Sequence, residues 1–192
     1  MKRILLFLTI FGMLLSMVSF SAETTTFKME KIKYPKGIRN VTSVTEVFGT
    51  GQQVTHIIVE FNEKVINSQL TKNTFTVAGR NVEDVYSNTR PERTNIVKDG
   101  KYVIIELNPK DTGASLRIEG GQGSGFQMKK ATSSITQKED ILFANGKKME
   151  KNIAILENNK TKNLVVENFK QFEYKDSKTG TTVKYNLYIP KN

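Results

Sequence analysis

The chain has 192 residues, of which 38% are hydrophobic, and it carries 29 basic against 19 acidic residues. A chain of this length and composition can bury a hydrophobic core, which excludes disordered and fibrous proteins. It contains no cysteine, so disulfide-stapled domains and lipoprotein anchors are excluded as well.

The first 22 residues have the three parts of a secretory signal peptide. Lys2 and Arg3 precede a long apolar run, and small residues follow it. We expect cleavage after Ser21 or Ala22. The alternative is an uncleaved membrane anchor, for which the run is at the short limit of about 17 residues. The cleaved chain would have no membrane span and would carry 27 basic against 19 acidic residues, a net charge of +8.

An exported chain of this size without cysteine is typical of the bacterial envelope, so we expect it in the periplasm, at the cell surface or outside the cell. Its lysines form short clusters, such as residues 128–131 and 146–151, with acidic residues nearby. A nucleic-acid surface needs clustered basic residues with exposed aromatics, so we expect no nucleic-acid partner. The charge favours weak contact with anionic envelope polymers or lipid head groups.

Strand patterns dominate the mature chain. Residues 39–48 and 53–62 alternate apolar and polar side chains across a glycine-containing connection, which predicts a hairpin. Short runs around Phe75 and Val85 follow, and Tyr102–Leu107 is the clearest strand. Closely spaced strands separated by Gly, Asn, Asp and Pro, without a helical period of useful length, predict an antiparallel β-sandwich. The stretch from residue 131 to 166 is interpreted as further strands or a long connection.

A second hairpin is predicted at the end of the chain. Four apolar side chains share one face of its last strand: Val183, Tyr185, Leu187 and Ile189. A run containing Phe172 and Tyr174 precedes it, across a polar turn that closes on Gly180. Because a two-stranded hairpin alone is marginally stable in water, we expect it to pack against a missing partner, to be mobile, or to fold back on the sandwich.

Five segments, in this order, resemble the immunoglobulin-like N-terminal domain of secreted bacterial esterases and the start of their α/β-hydrolase domain. They are residues 44–65, 70–88, 99–107, 135–141 and 169–191. The last of them contains "YNLYIPK", which is similar to the opening strand of such a hydrolase. The resemblance implies that the rest of a serine carboxylesterase would lie beyond Asn192, so the chain is expected to be a fragment or the product of a truncated or split gene.

These observations divide the chain into three parts. We expect a signal peptide at 1–22, an immunoglobulin-like β-sandwich at 23–165, and the truncated start of an α/β-hydrolase domain at 166–192. The partner that the resemblance implies is the hydrolase domain itself.

The catalytic groups of a serine esterase cannot be assembled from this sequence. Such an enzyme needs a serine at a sharp turn, a histidine base, a carboxylate and oxyanion donors. No Gly-x-Ser-x-Gly motif occurs, and Ser124, between Gly123 and Gly125, is interpreted as part of a flexible loop. The single histidine, His56, alternates to the same strand face as Ile58, opposite the core, so we expect it to be exposed or edge-facing.

Adjacent acidic residues do not suggest a catalytic pair either. Glu83 and Asp84, like Glu139 and Asp140, are neighbours in sequence, and neighbours in a strand point to opposite faces. We therefore assign no catalytic, cofactor-binding or metal-binding residue, expect no cofactor, and predict no hydrolysis of simple esters by this chain.

Two functions remain open. The first is a non-catalytic accessory domain of an exported bacterial esterase. The alternative is a stand-alone exported binding or adhesion module of the cell envelope. For that module Tyr86, Tyr102 and the lysines would be the contacts, although simple packing of the two tyrosines within strands is the interpretation we favour.

Overall fold

Alternating apolar and polar residues form the strands of two β-sheets that pack face to face. The computed structural model describes residues 34–118, 127–164, 166 and 169–188. All of them belong to one of the two units into which the chain divides, the unit that begins at Ile32. The predicted signal peptide, Ser124 and Ile189 lie outside the described residues.

The described residues form fourteen strands and one short 3-10 helix, Asn67–Gln69. The strands are β1 (Ile38–Phe48), β2 (Gly51–Val65), β3 (Phe75–Val77), β4 (Val82–Asn88), β5 (Gly100–Leu107), β6 (Arg117–Ile118), β7 (Gln127–Met128), β8 (Ser134–Gln137), β9 (Ile141–Leu142), β10 (Lys148–Met149), β11 (Asn152–Glu157), β12 (Lys160–Asn163), β13 (Phe169–Lys175) and β14 (Thr182–Tyr188).

The larger sheet has five strands in the order β12, β1, β2, β5, β4. Its neighbouring strands are antiparallel, except that β12 runs parallel to β1. The facing sheet has the order β11, β8, β3 and is antiparallel throughout. The remaining strands form three two-stranded pieces, β6 with β7, β9 with β10, and β13 with β14. The predicted antiparallel sandwich is confirmed.

The core lies between the inner faces of the two sheets. Its completely buried side chains include Val41, Ile57, Val59, Phe61, Val103, Ile105 and Ile135. Phe61 packs edge to face on Phe143, with ring centroids 5.9 Å apart. Burying one such side chain stabilises a fold by about 1.5–3 kcal/mol, so this layer provides stability without disulfides.

The chain crosses from the smaller sheet to the larger one at Gly79, whose φ of 68° is a left-handed conformation that favours glycine. Beside this turn, Arg80 donates from Nε to Asp111 Oδ2 over 3.1 Å and from Nη2 to the Asn108 carbonyl. Burial would raise the pKa of Asp111, but hydrogen bonds from Asn81 and Arg80 outweigh it and lower that pKa. The crossing is therefore held by a satisfied, nearly buried ion pair.

The predicted first hairpin is confirmed as β1 and β2, with two irregularities, of which the one near His56 concerns the site. The register shifts between Val44 and Thr45, where β2 carries an extra residue, Thr55. Such a bulge re-aims the side chains next to it, here Thr55 and His56. The stretch from 131 to 166, which the sequence left open between strands and a long connection, forms strands β8 to β12.

Candidate functional site

The C-terminal hairpin, β13 with β14, presents an apolar face made by cross-strand pairs. The register places Phe172 opposite Tyr185 and Tyr174 opposite Val183, and Leu187 follows on the same face. The rings of Phe172 and Tyr185 stack with centroids 5.6 Å apart. The predicted alternation is confirmed over the described part of the strand.

The same hairpin carries charged and aromatic pairs on its opposite face. Lys184 Nζ lies 3.1 Å from Glu173 Oε1, and the rings of Phe169 and Tyr188 are 5.7 Å apart. At the turn, Asp176 accepts hydrogen bonds from the Lys178 N–H and from the Thr179 hydroxyl. Local contacts alone therefore define the shape of the hairpin.

Among the described residues, no second layer covers this hairpin. Every side chain of β14 is exposed, on both faces, and Leu187 retains 46% of its accessible surface. A contiguous patch of exposed apolar side chains typically marks an interaction surface, whereas single exposed apolar residues do not. The hairpin is therefore the first candidate site.

The second candidate is the outer face of the five-stranded sheet, the face turned away from the three-stranded sheet. It carries a small apolar cluster of its own: Val44, Ile58, Tyr86 and Ile104. Tyr102 and Leu164 pack against this cluster. Tyr86 is buried, as we favoured, whereas Tyr102 is half-buried at the edge of a cleft.

His56 lies on this outer face, and the prediction that it is exposed was wrong, because the side chain is only 2% exposed. Strand alternation gave the correct face, shared with Ile58. The His56 side chain is nevertheless buried, because Arg93, in the segment between β4 and β5, reaches across the face to Glu46 and Glu106. No local sequence pattern indicates that cover, since Arg93 and Glu46 are 47 residues apart.

The polar groups around His56 form a connected network. The Thr55 hydroxyl donates to Glu46 Oε1 over 2.7 Å and lies 3.1 Å from His56 Nδ1. Because that hydroxyl has one hydrogen, which it gives to Glu46, we assign the Nδ1 proton to His56, with Thr55 as acceptor. Arg93 Nη1 donates to the same Glu46 oxygen over 2.8 Å.

Glu106 extends the network towards β4. The Tyr86 hydroxyl donates to Glu106 Oε1 over 2.7 Å and accepts from the Thr94 N–H over 3.3 Å. Arg93 Nε lies 3.5 Å from the other oxygen of Glu106. The segment after β4 is thus fastened to the sheet through both Arg93 and Thr94.

These surroundings shift two pKa values. Burial, with added repulsion from Arg93 and Lys162, lowers the pKa of His56 to about 3, so the imidazole is neutral at physiological pH. Burial and the hydrogen bond to Glu106 raise the pKa of Tyr86. His56 is therefore an uncharged member of the outer-face network.

The network does not have the geometry of a hydrolytic triad. A triad histidine contacts a hydroxyl through one ring nitrogen and a carboxylate through the other. Here Thr55 and Glu46 both lie at Nδ1, at 3.1 Å and 3.9 Å. The hydroxyl also donates to the carboxylate, so the imidazole has no hydroxyl proton to accept from it.

The acidic neighbours that the sequence set aside have separate structural partners. Glu139 accepts from the hydroxyls of Thr71 and Thr74, whereas Asp140 pairs with Lys148 at 2.9 Å. Asp84 accepts the N–H of the residue that follows it, and Glu83 is exposed. Within the described ranges, no group of three or more His, Asp or Glu side chains could hold a metal ion. Nor does that part of the chain contain a helix long and apolar enough to cross a membrane.

Comparisons with known proteins agree with this architecture. Residues 40–150 match the family model described as the esterase Ig-like N-terminal domain. Among solved structures, the crystal structure of a thermostable esterase is similar, with a TM-score of 0.72 and 24% identity over 80% of this chain. The aligned part is 43% of that esterase chain, and at this identity the likeness concerns the fold alone. No curated protein matches the chain.

Proposed function

Since the chain belongs to the family of esterase immunoglobulin-like N-terminal domains, we propose that it is the non-catalytic accessory part of an exported bacterial esterase. The single observation that carries the proposal is the uncovered hairpin β13–β14. Its apolar residues form a regular strand pair that no second layer covers within the part of the chain that the structure describes. An α/β-hydrolase domain that continues from this hairpin would supply that layer.

The energy of covering the hairpin explains why the two parts would belong together. Burying one Leu or a similar side chain is worth about 1.5–3 kcal/mol, and several such groups share the apolar face. Left uncovered, an apolar strand pair also invites aggregation. The accessory sandwich would therefore assist the folding and positioning of the hydrolase domain, and the hydrolase domain would in turn protect the hairpin.

A proteolysis experiment tests the proposal. The DNA downstream of the Asn192 codon is sequenced, and any coding region for a His-Gly strand and a Gly-x-Ser-x-Gly motif is expressed in frame with this chain. We expect limited proteolysis to cut within 169–188 in the 192-residue chain and to spare that hairpin in the two-domain protein. Equal protection in both proteins, or a downstream region without those motifs, would contradict the proposal.

A matched pair of variants makes the test specific to the hairpin. In the two-domain protein, Leu187→Glu should lower the yield of folded esterase, because it places a charge in the proposed contact. Ile96→Glu is the control, since Ile96 is exposed but lies in the segment between β4 and β5. Equal losses in the two variants would argue against a contact at the hairpin.

Chemically, the chain alone is proposed to be inert. We expect the purified mature chain to hydrolyse p-nitrophenyl acetate no faster than the protein-catalysed background. The reason is that no nucleophile, base and oxyanion donors come together in the described part of the chain. A saturable turnover that disappears in Ser124→Ala or His56→Gln would overturn this.

Export is part of the same proposal and follows from the first 22 residues. The exported protein is expected to begin at Ala22 or Glu23, which N-terminal sequencing of the envelope fraction would detect. Recovery of a chain that still begins at Met1 would contradict cleavage.

A further inference from the structure

A cleft opens on the outer face of the five-stranded sheet, beside the His56 network. We call it the outer cleft; its floor is Thr42 and Ile58, which are paired across β1 and β2. Pro91 and Tyr102 form one wall. With a volume of about 290 Å³, the outer cleft is near the lower limit for pockets that bind small molecules.

The other wall of the outer cleft is basic. Lys160 and Lys162 follow each other at alternate positions of β12, so both side chains are on the same side of the strand. Lys160 is paired with Thr42 of the floor. Among the described residues, no acidic side chain forms an ion pair with the Lys160 ammonium, so this charge is available to a ligand.

Among the described residues that line the outer cleft, the one carboxylate, Glu60, is already compensated. Glu60 Oε1 accepts from Arg39 Nη1 over 3.2 Å, and Glu60 Oε2 accepts from the side-chain amide of Asn40. The charge that the outer cleft offers to a ligand is therefore that of Lys160. This charge lies opposite an aromatic ring and a proline, which present apolar faces.

We propose that the outer cleft binds a carboxylate carried on a ring that has an apolar face. The carboxylate would bind the Lys160 ammonium, and the ring would pack against the wall of Tyr102 and Pro91, over Ile58. Two sources share this chemistry, a hexuronate unit of an acidic polysaccharide and a free aromatic acid. The inference adds a ligand site to the sandwich and does not depend on a hydrolase domain.

The test is titration calorimetry on the purified mature chain at low ionic strength. The ligands are galacturonate, its neutral counterpart galactose, benzoate, and benzamide as the neutral counterpart of benzoate. We expect one of the two acids to bind saturably, with its neutral counterpart at least about tenfold weaker. Binding of galacturonate would identify the polysaccharide source, and binding of benzoate the aromatic source.

Matched variants locate the site. Lys160→Gln should lower the affinity for the acid that binds by about tenfold. Tyr102→Leu should also lower that affinity, while it keeps an apolar side chain against the sheet. Lys72→Gln is the control, because Lys72 lines a different cleft, and it should change nothing. Urea unfolding of each variant shows whether the sandwich is intact.

Three results would overturn the inference. The first is that neither acid binds saturably at concentrations up to about 20 mM. A dissociation constant above that concentration would be too weak for a specific binding site. The second is equal binding of an acid and its neutral counterpart. The third is a loss of binding in Lys72→Gln that matches the loss in Lys160→Gln.

Discussion

The sandwich and the C-terminal hairpin obey the same rule of strand alternation but differ in what covers them. Leu107 in β5 is 1% exposed, whereas Leu187 in β14 is 46% exposed, although each lies in a strand with an antiparallel partner. Pairing makes a strand, and only a second layer buries it. The hairpin is thus a complete strand pair that no other described segment buries.

The strongest test of this comparison is one substitution made in both regions. We expect Leu107→Ala to lower the free energy of unfolding by about 2–5 kcal/mol, because it leaves a cavity in the core. Leu187→Ala should change it by less than about 0.5 kcal/mol, since the side chain is not buried. Urea unfolding of the purified chain measures both. Comparable losses would mean that the hairpin is part of the folded core.

The pH dependence of the free energy of unfolding tests whether His56 is buried on the outer face. The pKa of His56 is about 3 in the folded chain and near 6.5 when unfolded, so between these values the unfolded chain binds more protons. Stability should therefore fall as the pH drops from about 6.5 towards 3, with up to about 1.4 kcal/mol per pH unit due to His56.

The variant His56→Gln isolates that contribution, because glutamine has no charge to gain. Urea unfolding between pH 7 and pH 4 should show a shallower fall for the variant than for the native chain. The carboxylates titrate in both proteins, so their contribution cancels in the difference. Parallel curves would mean that His56 is accessible to solvent in the folded state.

A smaller effect is expected from the arginine that holds the segment between β4 and β5. Arg93→Met should lower the free energy of unfolding by about 1 kcal/mol, because Glu46 and Glu106 lose a donor at a partly buried site. Arg90→Met is the control, since Arg90 is mostly exposed and lies 3.7 Å from an exposed partner, Glu92. Equal effects of the two substitutions would argue against a fastening role for Arg93.

The smallest effect should come from the ion pair of the hairpin. Glu173 and Lys184 are both largely exposed, so Lys184→Met should change the free energy of unfolding by less than about 0.5 kcal/mol. The same urea titration measures it. A loss above about 1 kcal/mol would indicate that hairpin and sandwich unfold together.

Much of the fold was predictable from local pattern. The β1–β2 hairpin, strand β5 and the C-terminal hairpin all follow from alternation bounded by turn residues. Strands β8 to β12 were harder to assign, because most are short and their partners are distant. For example, β12 pairs with β1 across more than a hundred residues.

Of the candidate sites, one was predictable from the sequence and the others were not. The apolar face of the hairpin was predictable, since it depends on alternation and on a pairing that is local. The burial of His56 was not, because it depends on Arg93 reaching Glu46 and Glu106 from another part of the chain. The outer cleft was equally hidden, since strands distant in sequence supply its walls.

The amino-acid sequence by itself determined the longer strands and the face that each of their side chains takes, because the two-residue repeat of a strand is a local property of the backbone. The tertiary structure alone decided which of those faces are covered. Cover comes from the packing of segments far apart in the chain, and no local repeat records which of them meet.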